Sequence, residues 1–183
     1  MGAGTNEVWH PAVAAAAPSK RAGARPDAPL FEGEYRDRFE KILSRYPTKR
    51  AALLPVLHLA QEVRGWLAPE TLDRVAELLG LAPAVVRSVA SFYTMFYLHP
   101  VGEYVIQVCT NIACQLCGAD EVFRAFLEAT GTRPGETSAD GRFTVMETEC
   151  LGACGFPTAV FINERFYENV TPERVPQILA ELP

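Results

Sequence analysis

The sequence predicts a mixed α and β protein, of the α+β or α/β class, in which a helical bundle precedes a small domain with a mixed sheet. Apolar residues recur at helical spacing as far as residue 98, and β-branched and aromatic runs begin at Tyr104. A helical pattern separates the first two of those runs, as in a small α/β sandwich. We therefore divide the chain into an Ala- and Pro-rich tail over residues 1–30, a helical bundle over 31–98 and an α/β domain over 99–183.

The composition excludes several classes of protein. The chain is 49% hydrophobic and 21% charged, which is typical of a soluble globular protein. A net charge of −5 gives no basic surface for nucleic acid, and no apolar run reaches the roughly 18 residues of a membrane-spanning helix. We therefore expect a cytoplasmic protein with no nucleic-acid partner and no direct membrane insertion. The tail has no apolar periodicity, so we expect it to be mobile.

Apolar spacing and helix-breaking residues predict several helices before residue 98. One helix is predicted by an apolar stripe from Leu53 to Val63. Pro55 is tolerable in the first turn of this helix, and Gly65 lies at its end. Two short helices begin at Pro69 and Pro83, and Gly80 separates them. A helix earlier in the chain is predicted by an apolar stripe that comprises Tyr35, Phe39, Ile42, Leu43 and Tyr46.

The second half of the chain predicts strands alternating with helices. Strands are expected over 104–108, 143–146, 158–162 and 166–167, with a helix over 118–129 after the first of them. Thr171 is a predicted N-cap and Pro172 a first-turn residue of a closing helix that reaches Leu182.

The five cysteines form two groups, each placed in a loop just after a predicted strand. An odd number of cysteines without an export signal favours metal binding or catalysis over a disulfide framework. Two such loops can converge at one edge of a sheet and gather four thiolates, as a [2Fe–2S] cluster requires. The small residues between the last two cysteines would let backbone N–H groups approach the sulfurs. The groups are Cys109, Cys114 and Cys117, then Cys150 and Cys154.

Two sets of four ligands are open on spacing. Cys109, Cys114, Cys117 and Cys150 match the plant-type ferredoxin spacing, which would leave Cys154 idle. Cys109, Cys114, Cys150 and Cys154 form a two-plus-two set that leaves Cys117 idle. We favour the second set, because Cys117 directly precedes an amphipathic helix and each loop then supplies one pair of thiolates.

Other chemistries also fit parts of the pattern. Zinc would accept four thiolates at these gaps, and the protein would then be a zinc-stabilised adaptor. Cys114 and Cys117 form a C-x-x-C, the spacing of a thioredoxin-type dithiol. A Rieske centre would need two histidines near the cysteines, and the chain's three histidines lie elsewhere in the sequence.

Several motifs together resemble one family, the E subunits of bacterial NADH:quinone oxidoreductase, respiratory complex I. The resemblance runs from about Phe39 to Leu182. The segments that carry the resemblance are 49–61 (KRAALLPVLHLAQ), 65–67 (GWL), 89–93 (VASFY), 104–114 (YVIQVCTNIAC) and 149–154 (ECLGAC). The paired cysteine motifs and the ASFY segment are the most specific of these.

The resemblance implies a thioredoxin-like [2Fe–2S] domain after the helical bundle, with Cys109, Cys114, Cys150 and Cys154 as the ligands. It implies an electron-transfer subunit that exchanges electrons with FMN in an NADH-binding flavoprotein subunit, among other peripheral-arm subunits on the cytoplasmic face of the membrane. Related diaphorase subunits of NAD-linked hydrogenases and formate dehydrogenases look similar across the same motifs.

The resemblance assigns this chain no catalytic residue of its own, and FMN and NADH belong to the partner. The carboxylates near the cysteines, Asp120, Glu147 and Glu149, are expected to be solvated or helix-cap charges. One difference from the family concerns loop geometry rather than ligands. Members usually carry Ala-Pro a few residues after the last cysteine, whereas here Pro157 comes early and Thr158 follows it.

Overall fold

A computed structural model of the protein describes residues 29–183. The expected mobile tail therefore lies outside the described residues, except for Pro29 and Leu30. Leu30 and Phe31 are already buried, at 3% and 5% exposure, against the first helices.

Four helices build the first half of the described chain: α1 (Glu34–Arg45), α2 (Leu53–Arg64), α3 (Pro69–Leu79) and α4 (Pro83–Phe92). Both α3 and α4 begin on a proline, which has no N–H to leave unpaired and has a suitable φ. Gly65 and Gly80 end α2 and α3 with φ of 81° and 64°, a region that favours glycine. The predictions for these four residues, and for Pro55 in the first turn of α2, are confirmed.

The helices share one apolar core. Most of its deeply buried members lie on α2, α3 and α4, and Phe96 closes it beyond the end of α4. Each helix turns an apolar stripe toward this core. Apolar residues therefore recur in the sequence with the helical period of 3.6 residues. Fully buried side chains of this core include Val56, Leu57, Leu67, Val75 and Val86.

The second half is a four-stranded sheet in the order β2-β1-β3-β4. The strands are β1 (Tyr104–Cys109), β2 (Phe143–Thr148), β3 (Val160–Ile162) and β4 (Arg165–Tyr167). Strand β1 is parallel to β2 and antiparallel to β3, and β3 is antiparallel to β4. The sheet is therefore mixed, as predicted.

Two short helices, one longer helix and a 3₁₀ turn accompany the sheet. Helices α5 (Ile112–Leu116) and α6 (Ala119–Thr130) connect β1 to β2, and a 3₁₀ turn (Pro172–Arg174) leads into α7 (Val175–Ala180). One face of the sheet packs on α6 and α7 through a second apolar core that contains Ile106, Val108, Phe126 and Val145. None of the helices in residues 29–183 is both long and apolar enough to span a bilayer.

The structure differs from the predicted elements at three places. Helix α5 occupies a segment that was predicted to be a loop, because five residues are too few to show a helical period. Strand β3 begins at Val160 rather than Thr158, whose carbonyl instead accepts a hydrogen bond from the Val170 N–H. The closing helix begins at Val175 because Pro176 must lie in a first turn, so residues 172–174 form a separate 3₁₀ turn.

A loop over residues 93–103 joins the two halves and is tied to both. The Gln61 side chain on α2 donates to the Met95 carbonyl at 2.9 Å and accepts from the Tyr97 N–H at 2.7 Å. The Tyr97 hydroxyl in turn accepts a hydrogen bond from Gln107 on β1 at 3.0 Å. A groove of about 1040 Å³ runs between the halves, with Leu151 among the residues that line it.

Candidate functional site

Parallel pairing of β1 and β2 brings both groups of cysteines to one edge of the sheet. Cys109 is the last residue of β1 and lies opposite Thr148, the last residue of β2. Cys150 follows β2 after a single intervening residue. The expected convergence of the two segments is confirmed, and it follows directly from strand direction.

The first segment continues as α5, which carries Cys114. Cys114 is buried at 2% exposure and Cys109 at 3%, whereas Cys117 at the end of α5 is exposed. A short helix thus points its central cysteine inward, at the position where a loop was predicted. The Cys117 carbonyl lies 3.5 Å from the Thr158 hydroxyl, so the end of α5 lies against the second segment.

The second segment is a compact turn that contains Cys150 and Cys154, both of them exposed. Gly152 adopts φ of 74°, and its N–H points at the Cys150 sulfur with a nitrogen-to-sulfur distance of 3.3 Å. A side chain at Gly152 would be strained in this conformation, which explains why a glycine separates the two cysteines. The turn closes with a hydrogen bond from the Phe156 N–H to the Ala153 carbonyl at 2.9 Å.

The thiols influence one another's ionisation. Burial raises the pKa of the Cys109 thiol, but hydrogen bonds from the backbone of Asn111 and Leu151 and from the thiols of Cys114 and Cys150 outweigh it, and the net pKa is lowered. Such hydrogen bonds stabilise a thiolate, which is the form that binds metals.

The pKa of the neighbouring Cys114 thiol is raised. Burial is the main cause of this higher pKa. A hydrogen bond from the backbone of Ala159 lowers the pKa, whereas the hydrogen bond with Cys109 and the charges of Cys109 and Cys154 raise it further. The thiols of Cys109, Cys114, Cys150 and Cys154 therefore form one interacting group.

The surroundings of this group suit a [2Fe–2S] cluster. Four thiols from two segments meet at one sheet edge, and backbone groups already point at the sulfurs of Cys109, Cys114 and Cys150. The side chains packed beside Cys109 and Cys114 are mostly small: Ala119, Ala153 and Ala159, with Leu151. This donor set and low bulk are what a cluster with two thiolates on each iron requires.

A mononuclear site needs a tighter arrangement. Zinc binds about four ligands around one point, with Zn–S distances of about 2.3 Å. Within residues 29–183, no three His, Cys, Asp or Glu side chains are grouped closely enough to hold a single ion. The same finding applies to each iron of a cluster, so the family, and not the positions of the thiols, separates the two metals.

The two cysteines of the C-x-x-C sequence differ in their burial. Cys114 lies inside, beside Cys109, while Cys117 is exposed at the helix end. Cys114 is thus engaged with cysteines of the interacting group, which weakens the interpretation of Cys114 and Cys117 as a thioredoxin-type dithiol.

The two cysteine segments carry carboxylates and no basic side chain, and Arg124, Arg142 and Arg165 lie directly beyond their ends. Residues 109–123 and 143–164 contain no Lys or Arg. Asp120 lies in the first turn of α6 and accepts a hydrogen bond from Gln115 at 2.7 Å, while Glu147 and Glu149 are exposed. These carboxylates are solvated or helix-cap charges, as expected.

The sequence did not indicate the individual backbone donors. The glycine and alanine content of the second cysteine motif predicts close approach of the backbone, but the donors Asn111, Leu151 and Ala159 depend on how the two segments meet. Their roles become visible only in the structure.

Comparison with known proteins identifies a family. Residues 39–183 match the family model for the thioredoxin-like [2Fe–2S] ferredoxin. The chain is 42% identical over 143 residues to the E subunit of NADH-quinone oxidoreductase from Mycobacterium tuberculosis, covering 78% of this chain and 57% of that protein. The chain therefore spans little more than half the length of this mycobacterial relative.

Two further proteins are similar to most of this chain. The NADH-quinone oxidoreductase subunit 2 of Thermus thermophilus is 38% identical over 155 residues, which are 83% of this chain and 86% of that protein. A solved structure of an NAD⁺-reducing [NiFe]-hydrogenase in the air-oxidized state superposes with a TM-score of 0.62 at 27% identity. That match covers 72% of this chain and 23% of the hydrogenase chain.

Proposed function

Because this chain belongs to the thioredoxin-like [2Fe–2S] ferredoxin family, and within it to the E subunits of NADH-quinone oxidoreductases, we propose that it is the [2Fe–2S] electron-transfer subunit of such a complex. In this proposal it works beside the subunit that carries NADH and FMN, among the other peripheral-arm subunits. We place the complex at the inner face of the plasma membrane, with this subunit on the cytoplasmic side and outside the bilayer.

One observation carries the proposal. The parallel pair β1 and β2 delivers four interacting thiols to one sheet edge in a chain of this family. Cys109, Cys114, Cys150 and Cys154 are the proposed ligands. Cys117 is proposed to be a spectator, because it lies exposed at the end of α5.

When bound, the cluster would supply one-electron chemistry, and the protein's part is to hold it and set its surroundings. Cys109 and Cys114 anchor one side from buried positions, and Cys150 and Cys154 complete the set from the exposed turn. The backbone N–H of Gly152 is placed to donate to the sulfur of Cys150, which favours added negative charge. The nearby carboxylates act in the opposite sense. No side chain of the site is assigned a proton-transfer or nucleophilic role.

Metal and sulfide analysis of anaerobically purified protein tests the proposal, together with an EPR spectrum after dithionite reduction. We expect about two irons and two acid-labile sulfides per chain and a spin-half signal on reduction. One zinc with neither sulfide nor signal would overturn the electron-transfer function and leave a zinc-stabilised adaptor. A chain with neither metal but a reversible Cys114–Cys117 disulfide would instead support the dithiol alternative.

A second candidate function has specific support. The similarity to an NAD⁺-reducing [NiFe]-hydrogenase suggests a diaphorase subunit in a hydrogenase, or in a related formate dehydrogenase. Affinity purification from the native host separates the candidates by the subunits that accompany this chain. Quinone-reducing activity in the purified complex supports the first function, whereas hydrogen- or formate-dependent NAD⁺ reduction supports the second.

A further inference from the structure

The groove between the two halves leaves apolar side chains partly open to solvent. Helix α2 and the loop over 93–103 contribute to its lining from the first half, and β1, β3 and the turn after β3 contribute from the second. Met95 in this lining is 38% exposed, and Val63, Leu151 and Phe161 are half-buried. Such a lining suits an occupant that brings small apolar side chains.

The groove also carries a negative charge. The described residues that line it include the carboxylates Glu62, Glu103 and Glu164, against one guanidinium, that of Arg165. Glu62 already pairs with Arg38 on α1 through two hydrogen bonds of 2.6 and 2.7 Å. On the side of the second half, two carboxylates outweigh one guanidinium, which would attract a cationic occupant.

The chain itself contains a cationic segment directly before the described residues. Residues 18–28 have the sequence PSKRAGARPDA, in which Lys20, Arg21 and Arg25 stand against Asp27. Every other residue of this stretch is Ala, Gly, Pro or Ser, so its charges are carried on a chain of little bulk. We call residues 18–28 the cationic segment. Its charge is opposite to that of the groove.

The cationic segment joins the folded chain close to the groove. Leu30 and Phe31 are fixed in the first apolar core, where the ring of Phe31 stacks on that of Phe39 with centroids 5.0 Å apart. Tyr35, in the first turn of α1, already lines the groove. A stretch of this length extends over as much as about 36 Å. It can therefore enter the groove directly from its attachment.

This attachment favours the cationic segment over a separate protein as the occupant. Exposed ion pairs are individually weak, and a few of them would hold a separate protein poorly. A tethered segment, by contrast, is present at an effective concentration on the order of millimolar, so the same contacts are enough to hold it.

We propose that the cationic segment lies in the groove, with its Lys and Arg side chains facing Glu103 and Glu164. It would add a second connection between the two halves to the one made by the loop over 93–103. The composition of the segment predicts mobility in isolation, and contact with the groove supplies the order that the sequence lacks. The inference does not depend on the proposed function.

Zero-length carbodiimide cross-linking of the full-length, cluster-loaded protein tests this placement. The reagent joins a lysine amine to a carboxylate only where the two groups touch. Three lysines occur in the chain, and Lys20 is the one in the cationic segment. Mass spectrometry after digestion is expected to find Lys20 joined to Glu103 or Glu164. An equal mixture of unlabelled and ¹⁵N-labelled protein is expected to show that both ends of the cross-link belong to one chain.

A pair of variants with the same change in charge controls for general electrostatics. Arg21→Glu/Arg25→Glu keeps Lys20 and the groove carboxylates but reverses the charge that holds the segment. Arg45→Glu/Arg50→Glu reverses two exposed charges of the first half that do not line the groove. The yield of the cross-link is expected to fall about fivefold in the first variant, as for two exposed ion pairs, and to stay within about twofold in the control.

Three results would overturn the placement. The first is a Lys20 that forms no cross-link, or is joined only to carboxylates outside the groove such as Asp27 or Glu32. The second is an equal loss of yield in both variants, which would mean that the charges of the cationic segment do not hold it. The third is a cross-link between labelled and unlabelled chains, which would assign the groove to the segment of a second copy.

Discussion

The proposed ligands differ in how much of each thiol the protein covers. Cys109 and Cys114 are buried beside small side chains, whereas Cys150 and Cys154 lie in an exposed turn. The buried pair fixes the inner side of the site, and the exposed pair leaves its outer side open. Cys117 shares the exposure of the second pair but sits at the end of α5.

The two candidate ligand sets give opposite results for two single substitutions. Cys154→Ser is expected to lose the cluster or alter its EPR signal, because it removes one of the four proposed thiolate ligands. Cys117→Ser is expected to keep about two irons per chain and an unchanged spectrum. The reverse result, with Cys117 essential and Cys154 dispensable, would establish the plant-type set.

Asp140 gives a pH dependence that can be measured apart from the site. The Ser138 hydroxyl and the Arg142 N–H donate to its carboxylate, which lowers the pKa of Asp140 below its ordinary value of 3.8. A lowered folded-state pKa means that this stabilisation is present above about pH 3.8 and is lost as the pH falls through the folded-state value.

Asp140→Asn is therefore expected to lower the melting temperature at pH 7, and the difference from the unmodified protein should shrink as the pH approaches 3. The measurement is the difference in melting temperature between the two proteins as a function of pH, at pH values where both keep the same iron content. A difference that does not change with pH would contradict this account.

Among single residues, the sequence indicated which cysteines come together better than it indicated their surroundings. The two groups of cysteines could be recognised from the sequence because cysteine is itself the metal-binding residue type and the spacing divides the five into two segments. The burial of Cys109 and Cys114 and the roles of Asn111, Leu151 and Ala159 depend on contacts between segments about forty residues apart. No local pattern encodes such contacts.

Among the elements, the pairing of β1 with β2 depends on a close approach of backbones at Gly102. A Cβ atom placed there would lie 2.7 Å from the Phe143 carbonyl carbon and 2.8 Å from the Arg142 oxygen. The Gly102 N–H also donates to the Thr144 hydroxyl at 2.7 Å, which fixes the start of the strand pair. Because β1 and β2 end at the site, an error at their start would be transmitted to Cys109.

Gly102→Ala is expected to destabilise the protein by about 1–3 kcal/mol, the usual cost of overpacking. Gly155→Ala is the matched control, since nothing lies within 4 Å of a Cβ atom at that position. The control is expected to change stability by no more than about 0.5 kcal/mol. Equal midpoints in urea unfolding for the two variants would show that the backbones at Gly102 can separate without cost.

Element boundaries were predictable where a proline or glycine fixes them. Pro69, Pro83, Gly65 and Gly80 mark helix ends through their own backbone preferences, so the sequence alone indicates them. Helix α5 was not predictable, because five residues show no period and its stability comes from packing Cys114 inward. The shortened closing helix was in principle legible, since Pro176 has the same effect as the other prolines.

At the scale of the whole molecule, the mixed α and β fold and the family are confirmed. The division at residues 98 and 99 stays a prediction, which the separation of the apolar cores supports. One core is built from residues between Leu30 and Phe96, and the other joins the sheet to α6 and α7. How the two halves are attached was not predictable, because it depends on polar groups in a loop without a repeating pattern.

That attachment depends on Gln61. Its amide pairs with both Met95 and Tyr97, and Tyr97 in turn contacts Gln107 on β1 and accepts the Leu67 N–H through its carbonyl. Gln61→Ala would leave the part-buried Tyr97 N–H without its partner, at a cost of about 1–3 kcal/mol. A loss of that size lowers the melting temperature of a protein this large by roughly 2–4 °C per kcal/mol.

The matched control is Gln177→Ala, which removes only an exposed hydrogen bond to Glu181 on the surface of α7. Hydrogen exchange measured by mass spectrometry should show faster exchange over residues 93–103 in Gln61→Ala and no change there in Gln177→Ala. Since this loop leads directly into β1, the faster exchange should extend into the first residues of that strand while Cys109 at its end stays protected. If exchange in the loop is the same in both variants, the two halves are held together by contacts other than those of Gln61.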